Sequence, residues 1–184
     1  MKNIERKKVC VFCGASNDVP QVFKDMAYQF GLRLGQEGYD LVYGGGGVAA
    51  GMMGRVADGV LHGGGEVTGI FPEILDGIED AHNGLNLLIK TKTMHERKIE
   101  MYNRSDAFVI LPGGYGTLDE AFEIITLKLL GDHVKPIIFY NHLGFWDSFV
   151  KMTQNIISHG FAKANTQKIY TVVNSKGDVF KELV

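Results

Sequence analysis

The chain has 184 residues, of which 45% are apolar and 22% charged, with a formal net charge of −2 and a pI near 6.3. This length and apolar content suit one domain with a sizeable core over residues 1–184, and the balanced charge excludes a basic field for nucleic acid or anionic membranes. The charged start, residues 1–8, is not followed by a stretch typical of a signal peptide or membrane span. A cytoplasmic protein without nucleic-acid or membrane partners is therefore expected.

Strand and helix patterns alternate along the chain. Short apolar runs rich in β-formers predict strands at 8–13, 40–43, 66–71, 86–91, 107–111, 135–140 and 170–173. Helical patterns predict helices at about 20–37, 50–62, 93–104, 117–130, 145–158 and 175–183. Several strands are apolar almost throughout, which is typical of a parallel sheet covered on both faces. The sequence thus predicts a doubly wound α/β fold.

Two cysteines in the first predicted strand have the spacing C-x-x-C, which could indicate redox or metal chemistry. Residues three apart in a strand lie on opposite faces, about 10 Å apart, beyond the roughly 7 Å limit for a disulfide. A zinc site would need further Cys or His ligands at suitable spacing. We therefore interpret Cys10 and Cys13 as core residues and expect no metal site.

A glycine-rich loop follows the second predicted strand. Gly45, Gly47 and Gly51 partly match a dinucleotide fingerprint, which normally follows the first strand and needs an acidic residue about 20 residues on. Glu73 instead lies 28 residues after Gly45. Three interpretations stay open: an NAD(P) site, a tight turn that lets the next helix pack closely, or the second wall of a mononucleotide site.

The predicted helix at 93–104 adds positive charge near the next strand. Thr93 has the pattern of a helix N-cap. Arg97 could pair with Glu100 on a solvated face of this helix. Because the helix precedes the strand that leads into the next glycine loop, Arg97 could instead meet Glu120 and a phosphorylated ligand across a cleft.

The junction at residues 112–120 is the most informative feature for function. Three glycines follow the apolar strand at 107–111, and Thr117 begins the predicted helix. The free N–H groups and the positive dipole end of that helix suit an anion such as phosphate. Two interpretations of Glu120 stay open: the last residue of a capping box that starts at Thr117, or a catalytic carboxylate beside the phosphate.

These motifs resemble the Lonely Guy family, the cytokinin-activating nucleoside 5′-monophosphate phosphoribohydrolases, some of which have carried the label "lysine decarboxylase-like". The family pattern Pro-Gly-Gly-x-Gly-Thr-x-x-Glu matches residues 112–120 at every fixed position. The Met-His-x-Arg-Lys segment matches residues 94–98, and further matches lie at 79–85 and 43–54. The likeness covers most of the chain.

The resemblance implies a Rossmann-like doubly wound subunit, usually a homodimer, that cleaves the N-glycosidic bond of a nucleoside monophosphate to a free base and ribose 5-phosphate. It implies no metal or organic cofactor. By position, Arg97 and Glu120 would be the catalytic pair. The same comparison implies nucleotide contacts from Glu79, Lys98, Gly113, Gly114, Tyr115, Gly116, Thr117, Leu118 and Asp119.

Two other functions stay open from the sequence. A nucleotide-binding or sensor protein would bind the same ligand without turnover. A lysine decarboxylase would release CO2 and would normally need a cofactor that forms an aldimine, for which no residue pattern stands out.

Overall fold

Strands and helices alternate along the chain in the computed structural model, which describes residues 6–47, 51–78 and 80–184. The strands are β1 (Lys8–Phe12), β2 (Asp40–Tyr43), β3 (Val67–Pro72), β4 (Leu87–Thr91), β5 (Ala107–Ile110), β6 (Ile137–Tyr140) and β7 (Thr171–Val173). The helices are α1 (Gln21–Gln36), α2 (Gly51–His62), α3 (Met94–Asn103), α4 (Tyr115–Leu129), α5 (Asp147–Ser158) and α6 (Lys176–Glu182). Every predicted strand and helix is confirmed to within about two residues at its ends, the usual uncertainty of such boundaries. Residue 50, predicted to begin the second helix, lies outside the described residues.

The strands form one parallel sheet in the order β4-β3-β2-β1-β5-β6-β7. The chain builds outward from β1 to β4 and then returns to the other side of β1, where β5 pairs with it in parallel. The strand order therefore reverses beside β1, which is the topological switch point where open α/β sheets bind ligands. The predicted Rossmann-like, doubly wound sheet is confirmed. No helix among the described residues is long and apolar enough to cross a membrane.

Helices cover both faces of the sheet, and the strands are apolar on both sides for that reason. One buried cluster joins the sheet to α1, α2 and α6, and the other joins it to α3, α4 and α5. Cys13 belongs to the first cluster and Cys10 to the second, and both thiols are free and buried. The interpretation of these cysteines as core residues on opposite faces is confirmed.

Helices α1 and α2 pack backbone to backbone through glycines. A Cβ added to Gly31 would lie 2.2 Å from the carbonyl oxygen of Val56, and one added to Gly59 would lie 2.3 Å from that of Tyr28. Real side chains do not approach this closely, so the contact requires glycine on both helices. It fixes α2, whose first turn reaches the functional cavity described below.

Candidate active site

A cavity of about 420 Å³ opens beside the carboxyl ends of β1 and β5. The backbone N–H of Gly14, after β1, donates to the carbonyl of Pro112, after β5, at 3.0 Å. These two loops form the floor of the switch-point crevice, and both line the cavity. The volume falls in the usual range for small-molecule sites, about 300–1,000 Å³.

The N-terminus of α4 borders this cavity. The helix begins at Tyr115 with Gly114 as its N-cap, and no side chain caps it. The first backbone N–H groups of an α-helix have no acceptor within the helix, so this end can bind an anion. A Cβ on Gly113 would lie 2.1 Å from Oγ1 of Thr117, so the loop can pass this close to α4 only with glycine there.

The capping-box interpretation of Glu120 is wrong. It required the helix to begin at Thr117, but α4 begins two residues earlier and Thr117 lies inside its first turn. Glu120 consequently lies on the second turn, too far along the helix to return a hydrogen bond to the N-cap. Its side chain lines the cavity instead. By contrast, Thr93 does cap α3, where its side chain accepts from the backbone N–H of Glu96 at 3.1 Å.

Arg97 on α3 is the buried cation of the cavity, with only 8% of the residue exposed. Its Nε donates to the carbonyl of Ile70 and its Nη2 to the carbonyl of Gly44, each at 3.2 Å. A Cβ on Gly44 would lie 1.8 Å from Nη2, so only glycine leaves room for the guanidinium. Glu100 pairs with Arg104 instead, at 2.7 Å, so the proposed Arg97–Glu100 pair is wrong.

Glu120 lies beside Arg97 within the cavity. Nη1 of Arg97 and Oε1 of Glu120 are 3.7 Å apart, and the two side chains are 9% and 11% exposed. Burial raises the pKa of Glu120 from 4.5 to about 7, although the positive charge of Arg97 opposes the rise. The nearby charge of Asp119 adds to the rise. The carboxyl therefore gains and loses its proton near neutral pH, as a group with a role in acid–base chemistry should.

Lys98 and Asp119 form an ion pair next to the cavity rather than in its wall. Nζ of Lys98 lies 3.1 Å from Oδ2 of Asp119 and 2.5 Å from Oε2 of Glu123. These two ion pairs join α3 to α4. Burial alone would lower the pKa of Lys98, but its bonds to Glu123 and Asp119 raise it. Lys98 therefore stays protonated and positions the helix that carries Glu120.

The remaining predicted contacts divide into three groups. Gly113, Gly114, Gly116 and Thr117 line the cavity. Tyr115 is 94% exposed and Leu118 packs against the core, and neither is among the residues that line it. Glu79 lies outside the described residues.

The glycine loop after β2 contributes Gly44 to the cavity wall. A Cβ on Gly51, at the start of α2, would lie 2.6 Å from the carbonyl oxygen of Ala15 after β1. The loop therefore permits close packing and also walls the site. These observations agree with two of the interpretations drawn from the sequence, the packing turn and the wall of a mononucleotide site.

Apolar side chains form much of the remaining wall and were not singled out from the sequence. They come from the segment before and within α1, from α2, from α3 and from the turn after β3, and include Val19, Phe23, Met52, Met53, Leu75 and Met101. Their position near the carboxyl ends of strands was the available signal. In the sequence, however, an apolar residue that lines a cavity has the same pattern as one that packs in the core. Position alone therefore could not identify these residues as part of the site. Among the described residues, no group of three or more His, Cys, Asp or Glu is arranged to hold a metal ion.

The fold and the cavity together define a Rossmann-like α/β protein with a small-molecule cavity at the switch point of its sheet. The chain belongs to the family whose profile, described as "possible lysine decarboxylase", matches residues 53–183. The resemblance to the Lonely Guy family is confirmed by relatives that bear the phosphoribohydrolase name.

Two plant proteins illustrate the relationship. A cytokinin riboside 5′-monophosphate phosphoribohydrolase of Arabidopsis thaliana is 40% identical over 163 residues, which is 89% of this chain and 76% of that protein. A probable enzyme of the same name from Oryza sativa subsp. japonica is 41% identical over 164 residues, 89% of this chain and 71% of that protein.

A solved structure supports the fold alone. The Moco carrier protein of Chlamydomonas reinhardtii superposes with a TM-score of 0.70 and 18% identity, covering 97% of this chain and 98% of that chain. At this identity the likeness carries no argument about the ligand.

Proposed function

We propose that the protein hydrolyses the N-glycosidic bond of nucleoside 5′-monophosphates, with adenine or an N6-prenylated adenine as the base, to a free base and ribose 5-phosphate. The relatives named above bear the name of this activity on cytokinin riboside 5′-monophosphates. The observation that carries the proposal is the buried Arg97–Glu120 pair in a cavity that the uncapped N-terminus of α4 borders.

The 5′-phosphate would bind at the start of α4. Three glycines of the motif, Gly113, Gly114 and Gly116, line the cavity there and leave the backbone amides accessible. Aligned N–H groups and the helix dipole favour an anion at this end. A phosphate held at this point would fix the ribose, so that binding energy remote from the scissile bond contributes to catalysis.

Glu120 would act at C1′ of the ribose. Hydrolysis breaks the C1′–N bond, with the electron pair leaving on the base, and a water oxygen bonds to C1′. One water proton ends on the base and the other stays on the new hydroxyl. Positive charge develops on the ribose as the bond breaks, as in glycoside hydrolysis, and an ionised Glu120 stabilises it. Glu120 also accepts the water proton and then releases it, so that it ends on the departing base and the carboxylate is regenerated.

Arg97 would hold Glu120 in its working state. The guanidinium is fixed by two backbone carbonyls, so its charge cannot swing away from the carboxyl. That charge lowers the pKa of Glu120 against the effect of burial and so favours the ionised form at neutral pH. Because two backbone carbonyls hold the guanidinium, this arrangement is preorganised.

The apolar wall suits a flat heterocyclic base. Met52, Met53 and Leu75 line the cavity together with Arg97 and Gly44. Thioether and aliphatic side chains adapt to rings and to short hydrocarbon substituents, which is consistent with adenine and with its N6-prenylated form.

The label of the family profile, possible lysine decarboxylase, receives no support from the residues of the site. An aldimine cofactor needs a lysine amine that can lose its proton, and no lysine is among the described residues that line the cavity. Lys98, the lysine beside Glu120, has a raised pKa and pairs with two carboxylates. Its environment opposes the chemistry that the label implies.

We infer further that residues 1–184 act as one nucleotide-binding domain and that two copies associate through α4. Phe122, Leu129 and Leu130 on or next to this helix are 38%, 46% and 79% exposed, and their spacing places them on one side of the helix, where they offer an apolar surface to a second copy. We also propose a cytoplasmic location, with which the free, buried thiols of Cys10 and Cys13 are compatible.

The test is incubation of the purified protein with AMP and with N6-prenylated AMP, followed by chromatography of the products. The proposal predicts free base and ribose 5-phosphate in equal amounts without an added cofactor. Binding of the nucleotides without release of base would indicate a sensor, and release of CO2 from lysine would indicate a decarboxylase. Either result would overturn the proposal.

A further inference from the structure

The glycine loop at residues 44–47 is bonded to the segment that follows β3. The backbone N–H of His82 donates to the carbonyl of Gly45 at 3.1 Å. Next to it, Gly46 and Ala81 form an antiparallel bridge. These main-chain contacts make the position of the loop depend on residues 81 and 82.

The side chain of His82 anchors that segment to α2. The side chain is 9% exposed, and its Nε2 lies 2.9 Å from Oδ1 of Asp58, which is 27% exposed. The backbone N–H of Gly84 donates to Nδ1 of the same ring at 3.0 Å. Because Nδ1 accepts this hydrogen bond, the ring proton lies on Nε2 and is donated to Asp58. Both ring nitrogens are therefore used, and the ring is fixed in one orientation.

The braced loop is also the loop that holds Arg97. The carbonyl of Gly44 accepts from Nη2 of Arg97, and the carbonyl of Ile70 accepts from its Nε. Gly45 packs directly on β3, the strand that contains Ile70, since a Cβ on Gly45 would lie 3.3 Å from the backbone nitrogen of Ile70. A shift of the loop would therefore move one of the two carbonyls that fix the guanidinium beside Glu120.

We propose that Asp58 and His82 are positioning residues that hold the 44–47 loop and, through it, keep the Arg97 guanidinium beside Glu120. Both lie in the described part of the chain, and neither lines the cavity. Their effect on the reaction must therefore pass through the loop and Arg97. The effect on turnover rests on the proposed function, whereas the effect on Arg97 itself does not.

A pair of substitutions at Asp58 separates the hydrogen bond from the charge. Asp58→Ala removes the acceptor, whereas Asp58→Asn keeps an oxygen that can accept from the neutral ring of His82. We expect Asp58→Ala to lower kcat by about 10-fold with KM changed less than about 2-fold, and Asp58→Asn to keep kcat within about 2-fold. The matched control is His62→Ala on the same helix, whose ring bonds Tyr28 instead, at 3.1 Å, and which should leave kcat unchanged.

A double-mutant cycle tests whether the effect passes through Arg97. In an Arg97→Ala background, Asp58→Ala should lower the residual activity by less than about 2-fold, because residues that act through one another are not additive. An equal loss in both backgrounds would overturn the proposal, as would full kcat in Asp58→Ala or equal damage by Asp58→Asn. If Asp58→Ala fails to fold, His82→Phe keeps the ring shape without its nitrogens and takes its place in the cycle.

Hydrogen exchange of the Arg97 Nε–H, followed by NMR, provides a readout that needs no turnover. We expect exchange at least about 10-fold faster in Asp58→Ala than in the wild-type protein, because a looser guanidinium is less protected. An unchanged exchange rate would overturn the proposal. Faster exchange in a protein that hydrolyses no nucleotide would support the positioning role and refute only the proposed function.

Discussion

Replacing Glu120 with glutamine should make the protein more stable and much less active. The carboxyl has a raised pKa in the folded protein, so the fold prefers its protonated, neutral form. Stability is therefore lost as the pH rises from about 4.5 to about 7, because the folded state must release a proton that it holds more tightly than the unfolded state does. Glutamine resembles the neutral form at every pH and escapes this loss.

The size of the effect follows from the pKa. A rise from 4.5 to about 7 corresponds to about 3 kcal/mol, since each tenfold change in proton affinity is about 1.4 kcal/mol. The side chain is 11% exposed, so solvent screens the carboxylate little. For a chain of this length, 1 kcal/mol moves Tm by about 2–4 °C, so Glu120→Gln should melt roughly 6–12 °C higher at pH 8. The difference should shrink toward pH 4.5.

The assay combines thermal unfolding at several pH values with hydrolysis of AMP. Glu120→Gln should lose on the order of 100-fold or more in kcat/KM, and the wild-type activity should decline as the pH falls through about 7. Glu37→Gln, whose side chain is 48% exposed at the end of α1 and does not line the cavity, is the control and should show neither change. A Glu120→Gln protein that is no more stable at pH 8, or that keeps full turnover, would refute this reasoning.

Three further predictions concern packing, assembly and the loop. Gly31→Ala should destabilise the protein by about 2–3 kcal/mol in denaturant unfolding, because its Cβ would lie 2.2 Å from the Val56 carbonyl oxygen. The control Gly177→Ala, on the helix α6, meets only ordinary contacts and should be neutral or slightly stabilising. Light scattering at micromolar concentration should give the mass of a dimer that Leu130→Glu dissociates, and a monomeric wild-type mass would contradict the assembly. Gly114→Ala should fold normally, since its Cβ meets nothing within 4 Å, yet should raise KM for AMP by filling space at the α4 N-terminus. An unchanged KM would argue against phosphate at that loop.

The sheet and its helices could be predicted because their signals are local. Continuous apolar runs such as Ile137–Tyr140 and the alternating helical patterns specify elements without knowledge of their partners. The opposite faces of Cys10 and Cys13 followed from strand geometry alone. Each of these features depends only on residues that are close together in the sequence, so it can be recognised without the three-dimensional structure.

The details of the site depend on contacts between distant segments. The start of α4 was misplaced by two residues because Gly114 caps it without a side chain, and capping patterns recognise side chains. The carbonyls of Gly44 and Ile70 that hold Arg97 are backbone atoms, which leave no mark in residue types. The close packing of Gly31 against Val56 joins two helices and needs the three-dimensional structure to be seen.

A comparison of AMP with adenosine as substrates of the wild-type protein tests most directly whether the α4 N-terminus binds the 5′-phosphate. The two share the scissile bond and differ only in the 5′-phosphate, which the N-terminus of α4 is proposed to hold. Several hydrogen bonds to a charged group, each contributing about 1.5–3 kcal/mol, should make kcat/KM for AMP at least on the order of 100-fold higher. Equal values of kcat/KM for the two would contradict the placement of phosphate at this helix and, with it, the proposed geometry of the reaction.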